Sequence, residues 1–265
     1  MSAIARPAPS RLPGLHVLEF NVAVYRRNWR GSVFSSFLEP VLFLAAMGVG
    51  LGSFVSSGGG TVGGVSYLEF LAPGLLAAQA MQTASGEAAW PILGRVKWDK
   101  TYFAMLASPL GVGDLLVGEI IWITLRMAMV CTVFFGVMVA FRAVLSPLGI
   151  FAIPAGMLTG IAFAAPIIGY SARLNNDAGF NALFRFVITP LFLFSGTFFP
   201  IDQLPAFLQP IAYLTPLWHG VSLTRGLTLG TIEPALAVVN VAVLLGYVAA
   251  GLVVARVSLA RRLVT

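Results

Sequence analysis

Charge is scarce in this sequence, and that scarcity excludes a soluble protein. Asp, Glu, Lys and Arg make up 10% of its 265 residues and 58% are hydrophobic, against about 25% charged in an ordinary soluble domain. Such a chain cannot cover itself with polar surface. Cysteine is nearly missing too: the single Cys131 lies in an apolar run, which rules out an internal disulfide or a multi-cysteine metal site and leaves packing as its role. Enzyme signatures are absent, with no phosphate-binding Gly-Lys-Ser/Thr loop, no zinc-binding histidine pair and no Gly-x-Ser-x-Gly elbow. The chain is therefore expected to hold no cofactor and no metal, and to catalyse nothing itself. The first thirty residues carry Arg6, Arg11, Arg26, Arg27 and Arg30 without an apolar core of signal-peptide length, so no cleaved signal is expected.

Apolar length is what the chain has in plenty. A spanning helix needs about 20 mostly apolar residues, because the hydrocarbon is about 30 Å thick and a helix rises about 1.5 Å per residue. Runs of that kind lie at roughly 33–54, 67–90, 115–141, 147–170, 180–199 and 235–255. Six spans use up the length, so the chain reads as one all-α transmembrane domain over 1–265, and any catalytic domain must be another polypeptide. An even number of spans puts both termini on one side. If that side is cytoplasmic it holds thirteen of the sixteen Lys and Arg residues, leaving Arg142 and Arg225 outside and Arg126 within a span. The net charge of +6 then belongs to cytoplasmic loops and not to nucleic-acid binding. The histidines, His16 and His219, fall on opposite sides and share no metal.

Between the spans, three segments carry information. Leu15, Leu18, Val22, Tyr25 and Trp29 form one helical stripe flanked by Glu19 and arginines, which predicts a helix over 15–30 lying in the membrane interface. In the cytoplasmic loop over 91–114, Trp98, Tyr102, Met105 and Leu106 recur at helical spacing beside Arg95, Lys97, Asp99 and Lys100. A short amphipathic helix at 95–108 fits either a groove on a partner protein or a lipid surface, and periodicity does not choose. The outer stretch from Pro200 to Pro234 is apolar but broken by Pro205, Pro210 and Pro216, so it predicts re-entrant half-helices over 200–232 and not a span. Asp202 is placed to cap the first of them, and Thr215 before Pro216 to start the second, near Trp218 and His219. His219 beside Trp218 reads as an interfacial residue. By contrast, residues 55–66 are a glycine-rich outer linker whose Gly58, Gly60 and Gly63 only mimic a dinucleotide-binding pattern, since no strand precedes them.

Ionisable groups inside spans are costly, and those present are candidates for a transport path. They are Glu39, Glu69, Glu87, Glu119 and Arg126. Glu69 and Glu87 are eighteen residues apart, five turns or about 27 Å, and so mark the two ends of one helix face. Gln79, Gln82 and Thr83 between them make a polar stripe that either lines a cavity or bonds to a neighbouring helix. Arg126 reads as half of an ion pair, with Glu119 or with a glutamate of another span. Gly48 with Gly52, and Gly156 with Gly160, have the spacing that lets helices approach closely, within the chain or between two chains.

Several stretches resemble the permease subunits of type-2 ATP-binding-cassette exporters, in the branch of nodulation-factor and antibiotic export. They are YRRNWRGSVFSSFLEPVLFLAAMGVGLG at 25–52, YLEFLAPGLLAAQAMQTASGEAAWP at 67–91, TYFAMLASPLGVGDLLVGE at 101–119, SGTFFPIDQLP at 195–205 and PLWHGVSLTRGL at 216–227. The resemblance implies two permease chains, a homodimer, working with two ABC ATPase subunits that bind ATP and Mg. It implies a coupling helix carrying Arg95, Lys97, Trp98, Asp99, Lys100 and Tyr102, and export of an amphipathic cargo such as a lipid-linked glycan, a glycolipid or a drug. A bacterial plasma membrane is the expected location, in keeping with the preference for Arg over Lys. Two rivals from other classes stand beside it: an ion-gradient transporter relaying through Glu39, Glu69, Glu87 and Arg126, and an intramembrane enzyme, for which no compact acid, base or nucleophile cluster is visible.

Overall fold

The computed structural model describes residues 14–51, 61 and 64–264, and within these the side chains of all but 28–37, 39, 40, 47–49 and 51. The side chain of Glu39, the Gly48–Gly52 pair, Trp29 and the glycine pattern at 58–63 lie outside that description. The fold is all-helical, with no strand among the described residues. Helix α1 is Gly14–Phe43, running on through a π-helical stretch, Leu44–Leu51; α2 is Tyr67–Leu93, continued by a π-helical turn, Gly94–Trp98. Then come α3 (Thr101–Leu106), α4 (Val112–Ala140), α5 (Ala152–Ser171) after a 3-10 turn from Pro147, α6 (Ala178–Leu183) and α7 (Thr189–Phe194). Helices α8 (Gln209–Leu214), α9 (Pro216–Leu229) and α10 (Pro234–Leu263) complete the chain.

Three helices are long and apolar enough to cross a membrane by length and composition: Val112–Ala140, Pro147–Ser171 and Pro234–Leu263. They coincide with the third, fourth and sixth apolar runs. The second run forms α2, whose 27 residues reach about 40 Å, though Glu69, Gln79, Gln82 and Glu87 make it less apolar. It tolerates them because α4, α5 and α9 wrap it, burying Leu71, Leu75, Met81, Ala84 and Ala88 completely or nearly so. A capping box starts this helix: the Ser66 hydroxyl accepts from the Glu69 amide at 3.3 Å, and Glu69 Oε2 accepts from the Ser66 amide at 2.8 Å. Glu69 does mark an end of α2, as its cap. The fifth run is the shorter apolar stretch Ala178–Phe194, which stops at Ser195.

Close approach explains the glycine spacing in α5. A β-carbon on Gly156 would meet Leu76 Cδ2 at 2.5 Å and Cys131 Sγ at 3.0 Å, and one on Gly160 would meet Met127 Sδ at 2.8 Å and the Ala80 carbonyl at 3.1 Å. That pair therefore packs inside the chain, against α2 and α4, and Cys131 is buried in the same contact.

Two predicted elements differ from expectation. The segment over 15–30 is not a separate helix: it is continuous with the first apolar run in α1, and it packs on α4. The stripe explains why, since Leu18, Val22 and Tyr25 turn against the protein core, with Val17 fully buried beside Gly118. The helix over 95–108 is instead two pieces, the π turn ending α2 and the short α3, separated at Lys100, whose φ of 51° is left-handed. In the segment from Pro200 to Pro234 the breaks do fall at prolines, with Pro210 and Pro216 in the first turns of α8 and α9. The capping chemistry differs, however. Asp202 lies exposed in a 3-10 turn begun by Pro200, and the Thr215 hydroxyl, at the N-cap position of α9, donates back to the Ala212 carbonyl at 2.7 Å.

Candidate functional site

Two ion pairs, one above the other, join α2 to α4. Arg95, on the π turn that ends α2, donates through Nη1 to Glu119 Oε1, with both side chains largely buried. Deeper along the same helices Arg126 Nε donates to Glu87 Oε1 at 3.0 Å. Arg126 thus pairs across helices and not with Glu119. Helix α1 supplies an aromatic lid to each cation: Phe20 stands 5.8 Å from the Arg95 guanidinium and Tyr25 4.8 Å from that of Arg126. Tyr25 also meets Trp122 edge-on at 5.5 Å and donates to Met129 Sδ at 3.2 Å, so α1 is locked to α4 at the level of Arg126.

The aromatic face predicted for the cytoplasmic segment is split between two directions. Trp98 is 56% exposed, whereas Tyr102 is fully buried against the Arg95–Glu119 pair. Burial first, and the Glu119 carboxylate second, hold the Tyr102 phenol well above its ordinary pKa. Burial works against the charge on Arg95, but Glu119 and Tyr102 beside it raise its pKa overall. Lys97, Asp99 and Lys100 are exposed, and Lys97 Nζ donates to the Asn175 carbonyl of the loop between α5 and α6. Asn175 Oδ1 also accepts from Arg262 of α10 at 2.8 Å. What faces outward here is a small basic patch around one tryptophan.

The polar stripe occupies the least covered face of α2. Gln79, Gln82, Thr83 and Glu87 are half-buried, at spacings of three and four residues, while the other faces of the helix are closed by the fold.

At the far end of α2 the chain builds a second polar cluster. Arg225 of α9 donates from Nε to the Phe70 carbonyl at 3.1 Å and from Nη2 to the Gly196 and Thr197 carbonyls at 2.9 and 3.3 Å, with its guanidinium 3.7 Å from the Phe70 ring centre. His219 is buried, its Nδ1 2.7 Å from Asn240 Oδ1, and Asn240 donates to Ser222 Oγ at 3.0 Å. It is therefore part of the α9–α10 contact and not an interfacial side chain. Trp218 packs edge-on against Tyr213 at 4.8 Å. Sequence reasoning missed Arg225 and Asn240; Arg225 was visible as a cation in an apolar stretch, but its partners are backbone carbonyls, which leave no side-chain signature. No group of three His, Cys, Asp or Glu side chains able to hold a metal occurs among the described residues.

A profile of the family described as ABC-2 type transporter matches residues 15–229. The chain belongs to that family. Among its relatives, nodulation protein J of Rhizobium leguminosarum bv. viciae is 36% identical over 251 residues, covering 91% of this chain and 94% of that protein. Nodulation protein J of Rhizobium leguminosarum bv. trifolii is 37% identical over 217 residues, covering 79% and 81%. The inner membrane transport permease YadH of Escherichia coli (strain K12) is 24% identical over 187 residues, covering 70% and 72%. As an ABC-2 permease the chain is a transmembrane subunit of a transporter and not its catalytic part, and permeases of this family pair with ATPase subunits.

Proposed function

We propose that this ABC-2 permease is the membrane half of an exporter, driven by ATP that two separate ATPase subunits hydrolyse with Mg. It crosses the bacterial inner membrane six times with both ends in the cytoplasm, as a single domain, and pairs with a second permease chain. Helices α8 and α9 dip into the outer leaflet as a re-entrant gate around Asp202, Thr215, Trp218 and His219. The cargo is amphipathic: a lipid-linked glycan, a glycolipid or a drug. The half-covered stripe of Gln79, Gln82, Thr83 and Glu87, together with Glu39 and Arg126, lies toward its path. The names of the nodulation relatives favour a glycolipid-like cargo, and the name of the inner-membrane relative supports the location.

The observation that carries this reading is the exposed Trp98, set in a basic patch at the end of the helix whose inner partners are pinned to α4. A rigid-body movement of an ATPase docked on Trp98 would reach α4 directly, through Arg95 and Glu119. Residues Lys97, Asp99 and Lys100 form the docking surface; Arg95 and Tyr102 transmit from behind it. An ion-gradient relay is less well supported, because Glu69 caps a helix and Glu87 and Arg126 neutralise each other. Trp98→Ala should leave insertion and dimer formation intact while cargo export falls at least tenfold relative to ATP hydrolysis by the assembled complex. Unchanged export per ATP would overturn the assignment of this surface.

A further inference from the structure

The cytoplasmic half of α4 presents three faces to three different surroundings. Gly118 meets Val17 of α1, and Glu119 meets Arg95 at the end of α2. The third face carries Leu116, Ile120 and Ile121, and with Leu252, Val253 and Arg256 of α10 it lines an open groove of about 320 Å³. Every lining residue but one is aliphatic. The exception, Arg256, is exposed and has no hydrogen bond, ion pair or ring contact among the described residues.

Depth along the helices gives the groove a direction. Leu116 is four residues inside the start of α4 and Ile121 nine, about 6 and 13 Å. Helix α10 runs antiparallel to this, so Arg256, seven residues before its last, Leu263, stands about 10 Å from the helix end. The cation thus stands level with the stretch between Leu116 and Ile120, and Ile120, Ile121, Val253 and Leu252 continue inward from it. The carboxylate nearest to it in sequence on α4, Glu119, is turned away to Arg95. A guanidinium at the edge of hydrocarbon, with no counter-charge among the described residues, calls for an anion that also has an apolar body.

We infer that this groove binds one anionic phospholipid of the inner leaflet, with its phosphate on Arg256 and an acyl chain along Ile120, Ile121 and Leu252. The inner-leaflet placement rests on the orientation proposed above, and the lipid binding itself does not require the transport cycle. Because the acyl chain would lie on the turn that also bears Glu119, the bound lipid would stiffen the point where the cytoplasmic segment is pinned.

The test uses the full chain, purified in detergent and offered equal amounts of phosphatidylglycerol and phosphatidylcholine, with retained lipid counted by native mass spectrometry. The wild-type chain should retain phosphatidylglycerol preferentially. Arg256→Gln should reduce that preference about fivefold, the worth of one cation near an anionic headgroup, and Arg256→Lys should restore most of it. Ile120→Trp, which fills the groove, should lower retention of both lipids. Equal retention of the two lipids by the wild type, or a preference that survives Arg256→Gln, would overturn the site. A Val253→Cys chain that cross-links efficiently to a second copy would also overturn it, by showing that protein covers the groove; Cys131, the one native cysteine, is buried and does not interfere.

Discussion

A guanidinium taken out of water needs either a carboxylate or a full set of acceptors, and this chain uses both solutions. Arg95 and Arg126 take glutamates of the facing helix and an aromatic ring each, whereas Arg225 takes three backbone carbonyls and the face of Phe70. Glu119, only 3% exposed, has Arg95 as its ion-pair partner. Glu119→Gln should accordingly leave Arg95 buried and unpaired and destabilise the chain by about 3 to 5 kcal/mol. Adding Arg95→Gln should recover part of that loss, which thermal unfolding in detergent would show as a coupling between the two sites. If the two substitutions simply add, the pair does not hold the segment that ends α2. These partnerships were only half legible in the sequence. Glu87, Glu119 and Arg126 stood out as ionisable groups in apolar surroundings, but which acid met which base depended on the rotation of α2 against α4, and Arg95 read as an exposed loop cation.

Elements were read best where periodicity and length agree. The runs behind α4, α5 and α10 are long, uniformly apolar and free of competing signals, and they became the helices expected of them. The helix predicted at 15–30 was misjudged in its extent, since it runs on into the first apolar run, and its stripe satisfies protein as well as lipid: the same Leu18, Val22 and Tyr25 that suit an interface also suit the groove beside α4. Aromatic periodicity over 98–106 was real but served two destinations, one inward and one outward, since Lys100 breaks the helix between them. Small-residue spacing in α5 could not by itself tell internal packing from packing between chains. The contacts of Gly156 with Leu76 and Cys131 settle that pair as internal, and Gly156→Leu should destabilise the chain by about 1 to 3 kcal/mol through overpacking. A melting temperature unchanged by that substitution would contradict so tight a junction of α2, α4 and α5.

On the scale of the whole molecule, composition already pointed to a membrane, and with no phosphate-binding loop in the sequence the expected energy source was another chain. The structure adds an arrangement suited to that division of labour. One helix, α2, runs from the capping box at Ser66 to the exposed Trp98, and along the way it carries the polar stripe, the two ion pairs and the carbonyl held by Arg225. A displacement applied at its Trp98 end is thereby connected to α4 through Arg95 and to α9 through Arg225. What sequence could not show is the cargo, because the half-covered stripe of Gln79, Gln82 and Thr83 states only that α2 carries polar groups in an otherwise apolar protein.

The most direct measurement is transport by vesicles containing the chain together with the ATPase that co-purifies with it, recorded as ATP hydrolysis and cargo movement in the same sample. The chain alone should hydrolyse no ATP, and the assembled complex should hydrolyse it and move cargo at an undiminished rate when ionophores remove every ion gradient. Transport that collapses with the gradient while ATP is held constant would contradict the account.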